Sequence, residues 1–216
     1  MVLILINENM EAYASGYKVG FNKIDNLPQV LKAVWDNCPS DFLEADGTKR
    51  TSHDVLFLTI NGIIFSYDVS GCSDKKVVRY SSELPLIKDL CWYPESDSFF
   101  LLDYQGYVWF FCTDNNKCHY FDDKEYYGID VTNEKLDRLQ NIPPIHQIAV
   151  GAKYVAFLDF QGVVWMFGHY AFSWMSYQEF YGKIDELPAI VKIIAGPNET
   201  FLLDEQGTVW SRGINY

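Results

Sequence analysis

One short stretch of this chain returns again and again, and that repetition limits the possible folds more than any other feature. The segment Phe201-Leu202-Leu203-Asp204-Glu205-Gln206-Gly207-Thr208-Val209-Trp210 recurs as Phe100 to Trp109 and, one residue shorter, as Phe157 to Trp165. Looser copies run from Phe57 to Phe65 and from Ile4 to Tyr13. Internal repetition of this kind marks an architecture of like units, each burying its apolar face against the next.

Every copy reads as a hairpin: an apolar run, a polar turn, and a second run that ends in a ring. Asn7, Thr59, Asp103, Asp159 and Asp204 occupy the start of the turn, where a short polar side chain can bond the backbone two residues on. Gly62, Gly106, Gly162 and Gly207 follow three residues later, in the place where a type I turn with a bulge requires positive φ. The first copy carries Met10 there, which predicts a strained or different turn. Three residues further on stand Tyr13, Phe65, Trp109, Trp165 and Trp210. A ring present in every unit serves what every unit shares, so these five are expected to form a packing layer rather than a ligand cage.

A second motif precedes four of the hairpins. Leu27-Pro28, Leu84-Pro85, Ile142-Pro143 and Leu187-Pro188 introduce the apolar runs Val30 to Val34, Leu86 to Cys91, Ile145 to Val150 and Ile190 to Ala195. Proline is tolerated at a strand start, so each run reads as a strand. A polar, ring-rich stretch after each hairpin leaves room for a fourth. The turn glycines lie 44, 56 and 45 residues apart, the period of a four-stranded propeller blade. The 15 Tyr, 15 Phe and 6 Trp suit such sheets, because rings pack well on a pleated surface. The expected fold is all-β, a single β-propeller of about five antiparallel blades over residues 1–26, 27–83, 84–141, 142–186 and 187–216, with Lys135 to Gln140 the one stretch that suggests a helical turn.

These residues resemble the repeat of the regulator of chromosome condensation family, in which an apolar strand ends in Ala-Gly or Val-Gly and a later strand ends in an aromatic-x-x-Gly pattern. Ile193-Ile194-Ala195-Gly196 with Trp210-Ser211-Arg212-Gly213, and Ala149-Val150-Gly151 with Trp165-Met166-Phe167-Gly168, fit that order. Asp68 and Cys112 depart from it in the second and third repeats, and residues 37–52 are an insertion. The resemblance implies seven blades in a full-length member, so this chain is short. It is either a small ring or an open arc, and an open arc implies a homo-oligomer or another cover for its ends. Short propellers with this Lys-, Ile- and Asn-rich composition also look like those of large DNA viruses, which implies a virion or host-directed scaffold.

The charge balance of 17 basic against 29 acidic residues, a net charge of −12, disfavours nucleic acid and anionic lipid and favours a basic partner. No phosphate-binding glycine loop, nucleophile elbow or zinc-protease helix is present. The cysteines, Cys38, Cys72, Cys91, Cys112 and Cys118, are odd in number and irregular in spacing; they read as free thiols of an intracellular protein without a signal segment, and neither a metal, a cofactor nor a membrane span is expected.

Where the repeat lapses, a binding surface is free to vary. Two segments stand out, one containing Tyr120, Phe121, Tyr126 and Tyr127, the other Phe172, Trp174 and Tyr177. Such residue types are enriched at protein interfaces, although the same segments could serve as outer blade strands. The leading expectation is a non-catalytic protein-interaction scaffold. The family resemblance implies an alternative, guanine nucleotide exchange on a small GTPase, and exposed rings on a small propeller leave a glycan-binding lectin as a third.

Overall fold

In a computed structural model of the chain, the described residues are 4–15, 21–35, 40–43, 49–52, 54–68, 77–79, 84–94, 98–112, 136–173 and 176–213. They fall into two compact units, Met1–Leu90 and Cys91–Tyr216. Every regular element among them is a β-strand.

The first unit opens with a three-stranded antiparallel sheet of β1 (Ile4–Ile6), β2 (Ala12–Ser15) and β3 (Phe21–Lys23), in that order. The next sheet runs β4-β7-β8-β9, with β4 at Val30–Trp35, β7 at Asp54–Thr59, β8 at Ile64–Asp68 and β9 at Val77–Arg79. Within the insertion, β5 (Ser40–Leu43) and β6 (Lys49–Ser52) pair only with each other. A core of Ala12, Ala14, Ile24, Val30, Val55, Phe57 and Tyr67 joins the first two sheets.

Strand β10 (Ile87–Tyr93) carries the division and leads the sheet β10-β11-β12-β13, whose other strands are Ser98–Asp103, Val108–Cys112 and Leu136–Arg138. The sheet β14-β15-β16-β17 follows, with strands Ile145–Val150, Tyr154–Asp159, Val164–Ser173 and Ser176–Lys183. A three-stranded sheet of β18 (Ile190–Ala195), β19 (Glu199–Asp204) and β20 (Val209–Gly213) comes last. The stretch 135–140 departs from its expected helical turn. Leu136–Arg138 pairs antiparallel with β12, placing Arg138 opposite Trp109, so ladder hydrogen bonds outweigh a weak local helical pattern.

Burial follows position in the sheet. Strands β11 and β15 are buried at every residue because they lie second in four-stranded sheets with neighbours on both faces. The Pro-led strands show buried residues every third place, as in β10 and β18. In the second unit the core between sheets is aromatic: the rings of Phe100 and Phe157 meet edge to face with centroids 5.6 Å apart, and Phe110 lies 5.3 Å from Phe100. Burying each such ring contributes about 2 kcal/mol, and the ring geometry adds about 1 kcal/mol per pair.

Consecutive sheets are joined by one recurring backbone bond. The carbonyl of the turn residue accepts the first N–H of the next Pro-led strand: Val30 on Met10 at 2.7 Å, Ile87 on Gly62 at 2.8 Å, Ile145 on Gly106 at 2.7 Å and Ile190 on Gly162 at 2.9 Å. A Cβ on Gly62, Gly106 or Gly162 would stand 3.0 Å from backbone atoms of that strand. Glycine is therefore needed twice, for its positive φ of 74°, 88° and 78° and for the close approach. At the other end of the strands, the Tyr154 hydroxyl donates to the carbonyls of Glu199 at 2.7 Å and Gly196 at 3.1 Å, and the Gln147 amide spans the N–H and C=O of Ile193 at 3.0 and 2.8 Å.

Candidate functional site

The hairpin turns present the most regular side-chain chemistry in the molecule. In the third repeat, Oδ1 of Asp103 accepts the amides of Gln105 and Tyr107, both at 2.9 Å, while Oδ2 accepts the indole N–H of Trp109 at 2.9 Å. Asp159 does the same for Gln161, Val163 and Trp165, at 2.8, 2.9 and 3.1 Å. Asp204 does it for Gln206, Thr208 and Trp210, at 2.9, 2.8 and 2.9 Å. Each carboxylate is buried and accepts three hydrogen bonds, two on Oδ1 and one on Oδ2. The indole bond, with the Thr208 and Gln206 amides behind it, holds the Asp204 carboxyl below its ordinary range.

The two earlier repeats keep the turn with different chemistry. Thr59 replaces the carboxylate, bonding the amide and carbonyl of Ile63 at 3.1 and 2.9 Å, and its partner ring is Phe65, which has no N–H to place. In the first repeat Asn7 accepts the amides of Asn9 and Glu11 at 3.0 and 2.9 Å, so the turn is the same one, and Met10 occupies it at a strained φ of 61°. Around it Glu11 accepts from Lys23, from Asn7 and from the Tyr13 hydroxyl. Those three donors, Lys23 foremost, bring its carboxyl down to about 2.

The five repeated rings therefore do more than fill a layer. Phe65 and Trp165 pack against the core clusters, but all five are only half-buried or exposed, and the fully buried positions of β12 and β16 are their neighbours Val108, Phe110, Val164 and Met166. An indole must keep its N–H paired, and the turn carboxylate fixes it at the sheet margin.

On this locked framework one position is free to vary. The residue after the turn's polar side chain is exposed in every repeat: Glu8 and Ile60 in the first unit, Tyr104, Phe160 and Glu205 in the second. Tyr104 is 57% exposed and Phe160 63%, large values for rings on rigid turns. His146 meets Phe160 edge to face at 5.5 Å, and beside them Arg138 lies over the Tyr107 ring at 4.6 Å. A shallow cleft lined by His146, Phe160, Gln161, Val191 and Glu205 continues the surface. Rings, an acid and open backbone suit contact with a protein surface.

The segments singled out in the sequence fall mostly elsewhere. Tyr120, Phe121, Tyr126, Tyr127 and Trp174 lie outside the described residues. Phe172 and Tyr177 lie near the end of the β16–β17 hairpin, which runs on to the pair Ser173 and Ser176, and β16 has 10 residues where β12 and β20 have 5. Cys91 is in no disulfide, and its thiol lies 4.0 Å from the Ile148 carbonyl. Among the described residues no cluster of three His, Cys, Asp or Glu side chains could hold a metal ion, and no helix is long and apolar enough to cross a membrane.

Antiparallel sheets of three or four strands following one another in sequence, each joined to the next through its turn, define a β-propeller, and known structures agree. Human WBSCR16 is similar to this chain over 98% of its length and 59% of its own, with a TM-score of 0.66 at 12% identity. Yeast RCC1 (Prp20), in a structure described with its binding to Gsp1p and histones, is similar over 98% of this chain and 56% of its own length, at a TM-score of 0.60 and 14% identity. The propeller domain of Cps50 (Swd1) from Myceliophteria thermophila gives 0.52 at 9% identity, over 98% of this chain and 66% of its own. The chain thus has an RCC1-like propeller fold and spans little more than half the length of the RCC1-type structures it matches. Neither the known protein families nor the curated proteins contain a match to its sequence.

Proposed function

We propose that the protein is a non-catalytic interaction scaffold whose turn face binds another protein. The observation that supports this most is the division of labour in the turns of the second unit. Asp, Gly and Trp repeat and lock the backbone, while the exposed position between them carries Tyr104 in one repeat and Phe160 in the next. Exposed rings held on preorganised backbone bury area at low entropic cost. The net charge of −12 and Glu205 at the edge of the patch favour a basic partner, whose association slows as salt rises. Phe172, Trp174 and Tyr177, and Tyr120, Phe121, Tyr126 and Tyr127, are kept as a second proposed set of contact residues, separate from the turn face. The proposal places the protein in an intracellular setting, because an odd number of irregularly spaced cysteines suits a reducing compartment.

The test is affinity capture with the wild-type chain, with Tyr104→Ala/Phe160→Ala and with Trp174→Ala/Tyr177→Ala, run beside guanine nucleotide release from a panel of small GTPases. The scaffold reading expects a partner that the first double variant loses while nucleotide release stays at background. Accelerated release that the turn-face substitutions leave untouched overturns it in favour of the exchange-factor reading.

A further inference from the structure

The cleft beside Phe160 carries negative charge and no positive charge of its own. Two carboxylates line it, the buried Asp159 in its floor and the exposed Glu205 at its rim, and no lysine or arginine stands with them. Asp159 rests on three N–H donors, from Gln161, Val163 and Trp165, which hold its charge in place without cancelling it. Among the described residues the Glu205 carboxylate has no ion-pair or hydrogen-bond partner. Low-dielectric walls around a charge of one sign strengthen its field in the opening.

The ring above these charges is fixed as well as exposed. A Cβ on Gly106 would stand 3.1 Å from Cε2 of Phe160, and His146 meets the ring edge to face on another side. Sheets stand both before and after this joint, β10-β11-β12-β13 and β18-β19-β20, so the 63% exposure of Phe160 is that of an interior repeat. At about 280 Å³ the cleft falls below the roughly 300–1,000 Å³ of small-molecule sites. That size suits one long side chain.

The preceding repeat shows which group such a surface takes. There Arg138, opposite Trp109 in the ladder, lays its guanidinium over the ring of Tyr107, the residue after the turn glycine. In the fourth repeat the same two places hold Lys183, opposite Trp165, and Val163. Lys183 lies 3.7 Å from Asp185, and among the described residues no cation of the chain covers Phe160.

We propose that this cleft receives an arginine side chain of a protein partner, its guanidinium stacked on Phe160 and forked to the Glu205 carboxylate, with the Asp159 charge beneath. Arginine satisfies ring and carboxylate together, because its planar group stacks on an aromatic face and pairs with a carboxylate through two N–H donors, whereas lysine offers a point charge. The inference rests on the turn face being a protein-binding surface and names what that surface recognises.

The probe is an acetylated and amidated peptide of repeated Arg-Gly-Ser, set beside its lysine and citrulline counterparts. Each is titrated against the full chain and followed by NMR of the Phe160 ring protons and the Glu205 carboxyl. The arginine peptide is expected to shift both groups and to bind about fivefold or more tighter than the lysine peptide, and tighter still than the uncharged citrulline peptide. Glu205→Gln and Phe160→Leu, both at exposed positions and checked by thermal midpoint, are each expected to remove that preference, and Phe160→Tyr to keep it. Equal binding of the arginine and lysine peptides overturns the inference, as does wild-type binding by folded Glu205→Gln and Phe160→Leu. If Tyr104→Ala/Phe160→Ala loses the captured partner while Glu205→Gln binds both partner and peptide as the wild type does, the turn face stands and the arginine site falls. If the peptides behave as expected while that double variant keeps its partner, the arginine site stands and the turn face is not the partner's surface.

Discussion

The indole N–H of Trp210 and Oδ2 of Asp204 lie 2.9 Å apart across the last hairpin, six residues apart in sequence, and together they pin the turn to its strand. The bond stabilises the charged carboxylate, so the Asp204 pKa lies below its ordinary value. A carboxyl depressed in the folded state contributes stability that is present above its unfolded pKa and is lost as pH falls through the folded value. Trp210→Phe is expected to raise the Asp204 pKa towards the ordinary aspartate value, observable by carboxyl NMR titration, and to lessen the acid dependence of unfolding.

The same pair can be weighed at Asp159 and Trp165, where the carboxylate is buried and the ring half-buried. Trp165→Phe leaves a buried carboxylate oxygen without its donor and should cost about 1.5–3 kcal/mol. A double-mutant cycle with Asp159→Ala should return a coupling of about 1 kcal/mol or more, whereas additive losses would mean the ring acts through packing alone.

The turn glycines separate two costs. Gly207→Val forces a β-branched residue to a φ of 82° and should cost about 1–3 kcal/mol, several-fold more than Thr208→Val, which exchanges strand formers. Gly162→Ala adds a second penalty, a Cβ 3.0 Å from the Ile190 backbone, that Gly207→Ala escapes in open space. Chemical denaturation should therefore rank Gly162→Ala as the more damaging of the two alanine variants.

At Met10 the native residue itself carries the conformational cost. Its φ of 61° is paid by a residue with a Cβ, so Met10→Gly should stabilise the first hairpin by about 1 kcal/mol, read as a higher denaturation midpoint. Next to it, Glu11 titrates at about 2 instead of 4.5, so its contribution falls away between those values as pH drops, and Glu11→Gln should remove that part of the acid transition.

The hairpins were legible because their information is local. Asp, Gly and a Pro-led apolar run fix a turn and a strand start with no knowledge of the remainder, and β14 and β18 occupy the runs Ile145–Val150 and Ile190–Ala195 read from the sequence. The bond between turn acid and ring was not, because it exists only once the two strands are in register. Its signal was present nonetheless: Asp goes with Trp in three repeats, and the repeat with Thr59 has Phe65. Leu136 and Leu139 mimic a helical stripe, and only the pairing of Leu136–Arg138 with β12 decides against it. Tyr104 and Phe160 stand inside repeat copies, where an apolar residue reads as framework. Only their exposure, 57% and 63%, separates the position that varies from those that lock the turn.

Amide hydrogen exchange of the chain, alone and bound to its captured partner, locates the contact surface. Protection gained on binding is expected to concentrate at residues 104–107 and 160–163, the turns that carry Tyr104 and Phe160, with the buried strands β11 and β15 unchanged. Protection confined to the β16–β17 hairpin end or to the opposite ends of the strands, with both turns exchanging as in the free chain, would contradict the turn face as that surface.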